Sequence, residues 1–218
     1  MLSSQAMSDF REICYRCDRS KKTCICNLVR PFETRPVFAV LAHPKEARNR
    51  IGTARVVRLC VSNSLVIRGT GEDFDANPVL QHLLRTPELD PFVLFPGAGS
   101  REVSSLKSDP GKRLLIFVVD GTWDHAKNMV LRSSTLRALP RVAFVPVTPS
   151  NYRIRKQPNE ICLSTVEAVH RVLSILEPSG THDNLIEVFD WMVETQIRYR
   201  EDAKAAGQCR QRSDTHSG

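Results

Sequence analysis

The 218-residue sequence has no long hydrophobic run. Its longest uninterrupted apolar stretches, Val37–Ala42 and Leu114–Val119, fall far below the roughly 18 residues that span a bilayer. No membrane crossing is expected. The opening segment from Met1 to Arg11 also lacks the apolar h-region of a secretory signal, which predicts a cytoplasmic chain whose cysteines are thiols or metal ligands. No internal repeat is visible, which sets repeat architectures aside. What is present is ordinary for a folded protein, with 41% apolar and 25% charged residues, so wholesale disorder is excluded. A formal net charge of +7 and a pI near 9.2 suit a polyanionic partner such as nucleic acid, or serve solubility alone. Only the distribution of the charge can decide between these.

From Pro36 onward, short β-rich apolar runs alternate with helix-period segments, the pattern of an α/β fold with a largely parallel sheet flanked by helices. Strands are predicted at Val37–Ala42, Ser64–Arg68, Phe92–Phe95, Arg113–Val119 and Val142–Val147. Each is short and nearly all apolar, as strands buried on both faces are. Helices are predicted at Lys45–Leu59, Pro78–Leu84 and Thr122–Leu131. Two more close the fold. One opens with the capping box Ser164-Thr165-Val166-Glu167 and the other begins near Thr181, with Leu185, Ile186, Phe189, Met192, Val193 and Ile197 on one stripe. Composition divides the chain into residues 1–34, which carry a cysteine cluster, a main domain over 35–202, and a polar, non-periodic tail over 203–218. The tail and the first ten or so residues are expected to be mobile.

Four of the seven cysteines fall together as Cys14-x2-Cys17-x6-Cys24-x-Cys26. Four thiolates on one short loop suit a closed, structural tetrahedral zinc site, which can order a segment too small to fold alone. Arg19, Lys21 and Lys22 would offset the negative charge of such a centre. The alternatives are a disulfide pair or an unliganded loop.

The run ending in Val119 continues into Asp120-Gly121-Thr122-Trp123 and then a helix. Asp120 thus lies at the carboxyl end of a strand, the edge where ligands gather in open α/β sheets. Two readings stand for it: a rigidly held functional carboxylate, or the N-cap of the helix that follows. Trp123 reads more readily as a core or flap aromatic than as a stacking platform. Basic residues concentrate at Lys45, Arg48, Arg50, Arg55 and Arg58 on the first predicted helix, and at Arg153, Arg155 and Lys156 before the capping box. On a continuous helix Arg48 and Arg55 share a face, which is ordinarily a solvated one. The loop cluster points to phosphates, because three cations within four residues repel unless anions visit.

These segments together resemble the DTW-domain family, named for an Asp-x-Thr-Trp motif. The resemblance is carried by the cysteine cluster, Arg35-Pro36, His43-Pro44-Lys45-Glu46, Thr53-Ala54-Arg55, Leu94-Phe95-Pro96-Gly97, Asp120-Gly121-Thr122-Trp123, Tyr152-Arg153-Ile154-Arg155-Lys156-Gln157-Pro158 and Leu163-Ser164-Thr165-Val166-Glu167-Ala168. It implies a relative of the knotted SPOUT class with a C-terminal knot. It also implies a tRNA-uridine aminocarboxypropyltransferase, which moves the 3-amino-3-carboxypropyl group of S-adenosylmethionine to uridine N3 and releases methylthioadenosine. Under that reading Asp120 is the candidate general base. Leu94, Phe95, Pro96, Gly97, Asp120, Thr122, Trp123, Leu163, Ser164, Thr165 and Glu167 are candidates to hold S-adenosylmethionine, although the capping box alone also explains Ser164 and Glu167. Lys45, Arg48, Arg50, Arg55, Arg153, Arg155 and Lys156 are candidates to bind tRNA, and Cys14, Cys17, Cys24 and Cys26 to bind zinc. Asp124 and His125 receive no role. Two rival readings are a SPOUT-type RNA methyltransferase using the same donor and a non-catalytic zinc-containing RNA-binding protein. Oligomeric state stays open.

Overall fold

A computed structural model describes residues 12–49, 51–146, 149–154 and 162–214, with backbone alone for 203–204 and 206–214. A two-stranded antiparallel hairpin opens the chain, β1 (Ile13–Cys14) and β2 (Arg19–Ser20). The main sheet then uses β3 (Val37–Ala42), β4 (Ser64–Arg68), β5 (Leu89–Leu94), β6 (Arg101–Glu102), β7 (Arg113–Asp120) and β8 (Arg141–Ala143), in the order β4-β3-β7-β5-β8-β6. Every pairing in it is parallel. The helices are α1 (Pro44–Ala47), α2 (Thr53–Cys60), α3 (Pro78–Arg85), α4 (Trp123–Arg132), α5 (Ser134–Ala138), α6 (Thr165–Leu176) and α7 (Asp183–Asp214).

The period-2 geometry of the central strands divides the core in two. Phe38, Val40, Ile116 and Val118 face a layer built from α2, α6 and α7, with Val56, Val57, Val169, Leu173, Phe189 and Met192 buried against them. Ala39, Leu41, Leu115 and Phe117 face the opposite layer, where Leu80 of α3, Met129 and Val130 of α4 and Leu136 of α5 pack. Both faces are covered, which is why these strands read as continuous apolar runs and not as alternating ones. Cys17 and Ile25 belong to the first of these cores, so the cysteine segment packs onto the sheet's helical layer. Asn184 and Glu187 of α7 hold Arg30 at 2.8 and 2.6 Å.

The predicted bounds of β3 and β4 match the structure, whereas four other elements differ for local reasons. The helix expected over Lys45–Leu59 is broken in two. Asn49 Oδ1 accepts from the Ile51 amide, Gly52 N donates to the Asn49 carbonyl, and α2 restarts after Gly52. Arg48 and Arg55 therefore do not share a helix face. β5 extends back through Pro91 because Leu89, Asp90 and Pro91 pair with Arg113, Leu114 and Leu115 of β7, while on its other edge Val93 N donates to Pro140 and Phe95 N to Val142. The equivalent direction at Pro91 lies beyond the start of β8, so no ladder bond is lost there. β8 ends at Ala143, before the expected Val147. Finally, α7 begins at Asp183 and continues to Asp214, into the segment beyond 203 that composition marks as non-periodic. The knot implied by the resemblance would involve the connection from β8 to α6, and 147–148 and 155–161 of that connection lie outside the described residues. No helix among the described residues is long and apolar enough to cross a membrane.

This topology creates a crevice. The chain leaves β3 into α2 on one face of the sheet and leaves its neighbour β7 into α4 on the other. Adjacent parallel strands with exits of opposite sense part at their carboxyl ends, where open α/β sheets bind ligands.

Candidate active site and metal centre

Asp120 is the last residue of β7 and is 7% exposed. Its Oδ1 accepts a 2.5 Å hydrogen bond from the Thr165 hydroxyl, and its carbonyl accepts from His43 N at 2.9 Å. The carboxyl ends of β3 and β7 and the N-terminus of α6 thus meet at this residue. It does not cap α4. Thr122 does, accepting from His125 N at 3.3 Å. The capping explanation for Asp120 is therefore removed, and a buried carboxylate aligned by Thr165 remains.

Around Asp120 the structure gathers several of the residues singled out by sequence. Leu94 of β5 pairs with Val118 of β7, so the Phe95-Pro96-Gly97 turn leaves the same edge. Phe95 is buried, and the Trp123 ring stacks on it at 5.5 Å with an interplanar angle of 10°. Trp123 is itself 48% exposed, so the core placement weighed for it is overturned. Its indole is stacked on Phe95 and half-exposed, just beyond the carboxyl end of β7. Ser164 caps α6 and forms the expected box with Glu167. Glu167 does more than cap: its oxygens also accept from Ser150 Oγ and Asn151 N at 2.6 Å each, fixing the 149–154 loop. Leu163 precedes the box, half-buried.

Two features without an assigned role also stand at this edge. His43 and His125 stack across the β3/β7 crevice at 3.9 Å and 4°. His43 Nδ1 accepts from Lys45 N at 3.3 Å. Burial first, then the nearby His125 and Lys45, hold His43 below the ordinary imidazole range, so it carries its proton on Nε2 and is neutral at pH 7. Arg141 is the second. A side chain added at exposed Gly97 would meet Arg141 Nη1 at 3.5 Å, which places a guanidinium beside the turn after β5. No sequence pattern pointed to the stacking or to the place of Arg141, because both depend on which strands are neighbours.

The basic residues are dispersed. Lys45 and Arg48 are exposed on and after α1. Arg55 is tied to Asp18 of the cysteine segment at 3.0 Å. Arg153 pairs with Glu194 of α7 and donates to Asn151 Oδ1. Neighbouring Tyr152 is buried and donates to the Ile51 carbonyl. Arg50, Arg155 and Lys156 lie outside the described residues.

The four clustered cysteines converge. Cys14 and Cys26 Sγ are 3.7 Å apart, Cys17 and Cys24 Sγ are 3.7 Å apart, and all four sulfurs lie within 4.8 Å of one another. A tetrahedron with metal–sulfur distances of about 2.3 Å has edges of about 3.8 Å, so the arrangement fits a zinc-sized ion. The backbone amides of Cys17 and Arg16 hold the Cys14 thiol down to about 6. Asp18, at φ 56°, turns the hairpin that presents Cys14 and Cys17. Arg19 supports the same reading. It is 3% exposed, its Nη2 has no hydrogen-bond partner among the described residues, and Cys17 and Cys24 lie near enough to act on it electrostatically. A buried guanidinium needs opposite charge, and four metal-bound thiolates would supply it.

The DTW domain model matches residues 11–197 of this chain. The chain is 29% identical over 173 residues to tRNA-uridine aminocarboxypropyltransferase 2 of Mus musculus, covering 78% of this chain and 58% of the mouse protein. It is 30% identical over 172 residues to the Drosophila melanogaster protein of that name, covering 77% and 67%. It is 29% identical over 227 residues to tRNA-uridine aminocarboxypropyltransferase A of Arabidopsis thaliana, covering 87% and 82%. The chain thus spans under two thirds of the mouse relative's length. No solved structure matches it.

Proposed function

Because this chain belongs to the DTW-domain family, we propose that it transfers the 3-amino-3-carboxypropyl group of S-adenosylmethionine to N3 of a tRNA uridine, releasing methylthioadenosine. The observation that carries this reading is the meeting of Asp120 with Thr165 at the carboxyl edge of β7, beside the Trp123–Phe95 stack. The names borne by the relatives supply the reaction class.

The donor, when bound, supplies a sulfonium leaving group whose γ-carbon accepts N3 as its bond to sulfur breaks. The residues must therefore orient the pair and take one proton. Asp120 takes the N3 proton, and the Thr165 hydroxyl holds its other oxygen and fixes the carboxylate's rotamer. The exposed indole of Trp123, braced by Phe95, offers a ring face for the donor's adenine. Arg141, beside Gly97, meets the donor's carboxylate. Pro96 and Gly97 leave that approach open. Glu167 already accepts from Ser150, Asn151 and Ser164, so its role is to hold the loop that carries Arg153.

The cysteine centre is structural: Cys14, Cys17, Cys24 and Cys26 hold zinc in a closed site. A zinc held there would order the segment whose Cys17 and Ile25 pack on the layer formed by α2, α6 and α7. Residues 1–34 comprise the N-terminal and metal segment, 35–202 the catalytic unit, and the chain acts in the cytoplasm on tRNA. RNA contacts fall on Lys45, Arg48, Arg50, Arg55, Arg153, Arg155 and Lys156, with Arg55 and Arg153 also serving their ion pairs.

The test is product analysis. Purified protein, S-adenosylmethionine and unmodified tRNA should yield methylthioadenosine. S-adenosylhomocysteine in its place would identify a methyltransferase, and neither product together with intact tRNA binding would leave a non-catalytic RNA-binding protein.

A further inference from the structure

Next to the Asp120 edge, on the side away from β5, lies a cleft of about 480 Å³. Ala42 of β3 and Arg68 of β4, paired in the sheet, form its floor. Ala42 also pairs with Asp120. One strand spacing, about 4.8 Å, therefore separates the floor of the cleft from the candidate base.

The polar lining is made almost wholly of hydrogen-bond donors. Arg58 and Arg68 are exposed and have no hydrogen-bond or ion-pair partner among the described residues. Arg55 lines the cleft as well. One of its nitrogens reaches Asp18, and Nη1 is buried without a partner. Asn49 Oδ1 already accepts from Ile51 N, and Asn77 Oδ1 from both Val79 N and Leu80 N, while the amide N–H groups of both have no partner among the described residues. Gly52, which caps α2 at the cleft wall, contributes no side-chain acceptor to the first-turn amides. The acidic member, Glu46, is 8% exposed and already engaged. None of the lining residues is aromatic.

We infer that this cleft receives a phosphodiester group of the RNA strand adjoining the target uridine. The inference rests on the function proposed above. Three arginines of which only Arg55 has an acid partner, with the one acid of the wall buried and already engaged, call for an anion, and a fork of guanidinium groups suits phosphate oxygens. The lack of an aromatic platform disfavours a nucleobase or the adenine of the donor. A volume within the common range for ligand sites accommodates a phosphate with its ribose. A nucleotide whose base reaches Asp120 lays its backbone over β3 into the donor-lined cleft. Arg58 and Arg68 come from different elements, a helix and a strand edge, and are brought together only by the β3–β4 pairing.

The experiment measures binding of an unmodified tRNA transcript to the full-length, metal-loaded protein as a function of salt, alongside S-adenosylmethionine affinity and the thermal midpoint. Arg58→Gln with Arg68→Gln should weaken tRNA binding at low salt by roughly ten- to a hundredfold. It should lower the log–log salt slope by about 1.5, since each lost phosphate contact removes about 0.7–0.9. Donor affinity should stay within about twofold. Asn77→Asp is the second variant. Aspartate caps α3 as well as asparagine does, so the midpoint should hold while the added anion weakens tRNA binding. An unchanged salt slope in the arginine variant, or unchanged tRNA affinity in Asn77→Asp, overturns the assignment. So does loss of donor affinity with tRNA binding intact, which would make the cleft a site for the donor's carboxylate. Failure of the underlying function looks different, because the wild type itself would then bind no tRNA or yield no methylthioadenosine.

Discussion

Asp120→Asn separates chemistry from architecture. Asparagine keeps the shape of the side chain, and its Oδ1 can still accept from Thr165. Thr122, not residue 120, caps α4, so the substitution costs no helix cap. A hydrogen bond to a charged acceptor contributes about 1.5–3 kcal/mol and to a neutral one about 0.5–1.5 kcal/mol. The loss is thus about 1 kcal/mol, and relief from burying a charge at a site 7% exposed opposes it. For a protein of this size 1 kcal/mol moves the thermal midpoint by about 2–4 °C, so the expected shift is at most that. The rate should fall far more. Removing a positioned base costs about 10²–10⁴-fold, equivalent to roughly 3–5 kcal/mol in the barrier. The assay is single-turnover transfer of labelled aminocarboxypropyl group to tRNA, with donor and tRNA affinities measured in parallel. A pH–rate profile that loses its acidic limb in the variant identifies a base and not a mere hydrogen-bond acceptor. Turnover within about threefold of wild type, or recovery at high donor concentration, would refute the assignment. Thr165→Val is the companion: it should lower the rate about tenfold and cost about 1–3 kcal/mol in stability, because the buried carboxylate loses the Thr165 hydroxyl.

Further outcomes follow from other parts of the molecule. Anaerobically purified protein should carry about one zinc per chain by metal analysis, and replacing Cys14 and Cys24 by serine should remove it. Full metal content in that variant would exclude the site. Arg141→Met should raise the donor KM about tenfold or more with little change in kcat, whereas an unaltered KM would exclude Arg141 from donor binding. His43 lies below its ordinary pKa, so the unfolded chain binds protons first as pH falls. Its contribution to stability is therefore full above the unfolded value of about 6.5 and is lost as pH drops below it. His43→Gln should flatten the midpoint's decline below about pH 6.5, and an unchanged decline would assign it to other groups.

Local chemistry was legible in the sequence, and tertiary adjacency was not. The convergence of the four cysteines was legible because one short stretch of backbone, from Cys14 to Cys26, carries them all. Ser164 and Glu167 read correctly as a box because capping involves only neighbours in sequence, but the second task of Glu167, holding Ser150 and Asn151, depends on a loop folding back. The break in the Lys45–Leu59 segment had a signal in Gly52, where an added Cβ would lie 3.0 Å from the Asn49 carbonyl oxygen and 3.2 Å from that of Glu46. Apolar periodicity through Val56 and Val57 outweighed it. Asp120 was placed at a strand end but left undecided between two roles, because helix caps are set by φ and ψ at single positions and Thr122 competes for the same task. The His43–His125 stack, Arg141 beside Gly97 and the cleft between α2 and β4 all follow from the strand order. Insertion of β7 between β3 and β5 is a property of no local segment.

The most direct test of the central claim is nucleoside mass spectrometry of tRNA from cells lacking this protein, complemented with the wild type or with Asp120→Asn. The account predicts that 3-(3-amino-3-carboxypropyl)uridine disappears from at least one tRNA, returns with the wild type and does not return with the variant. An unchanged nucleoside profile in the deletion, or full restoration by Asp120→Asn, would contradict it.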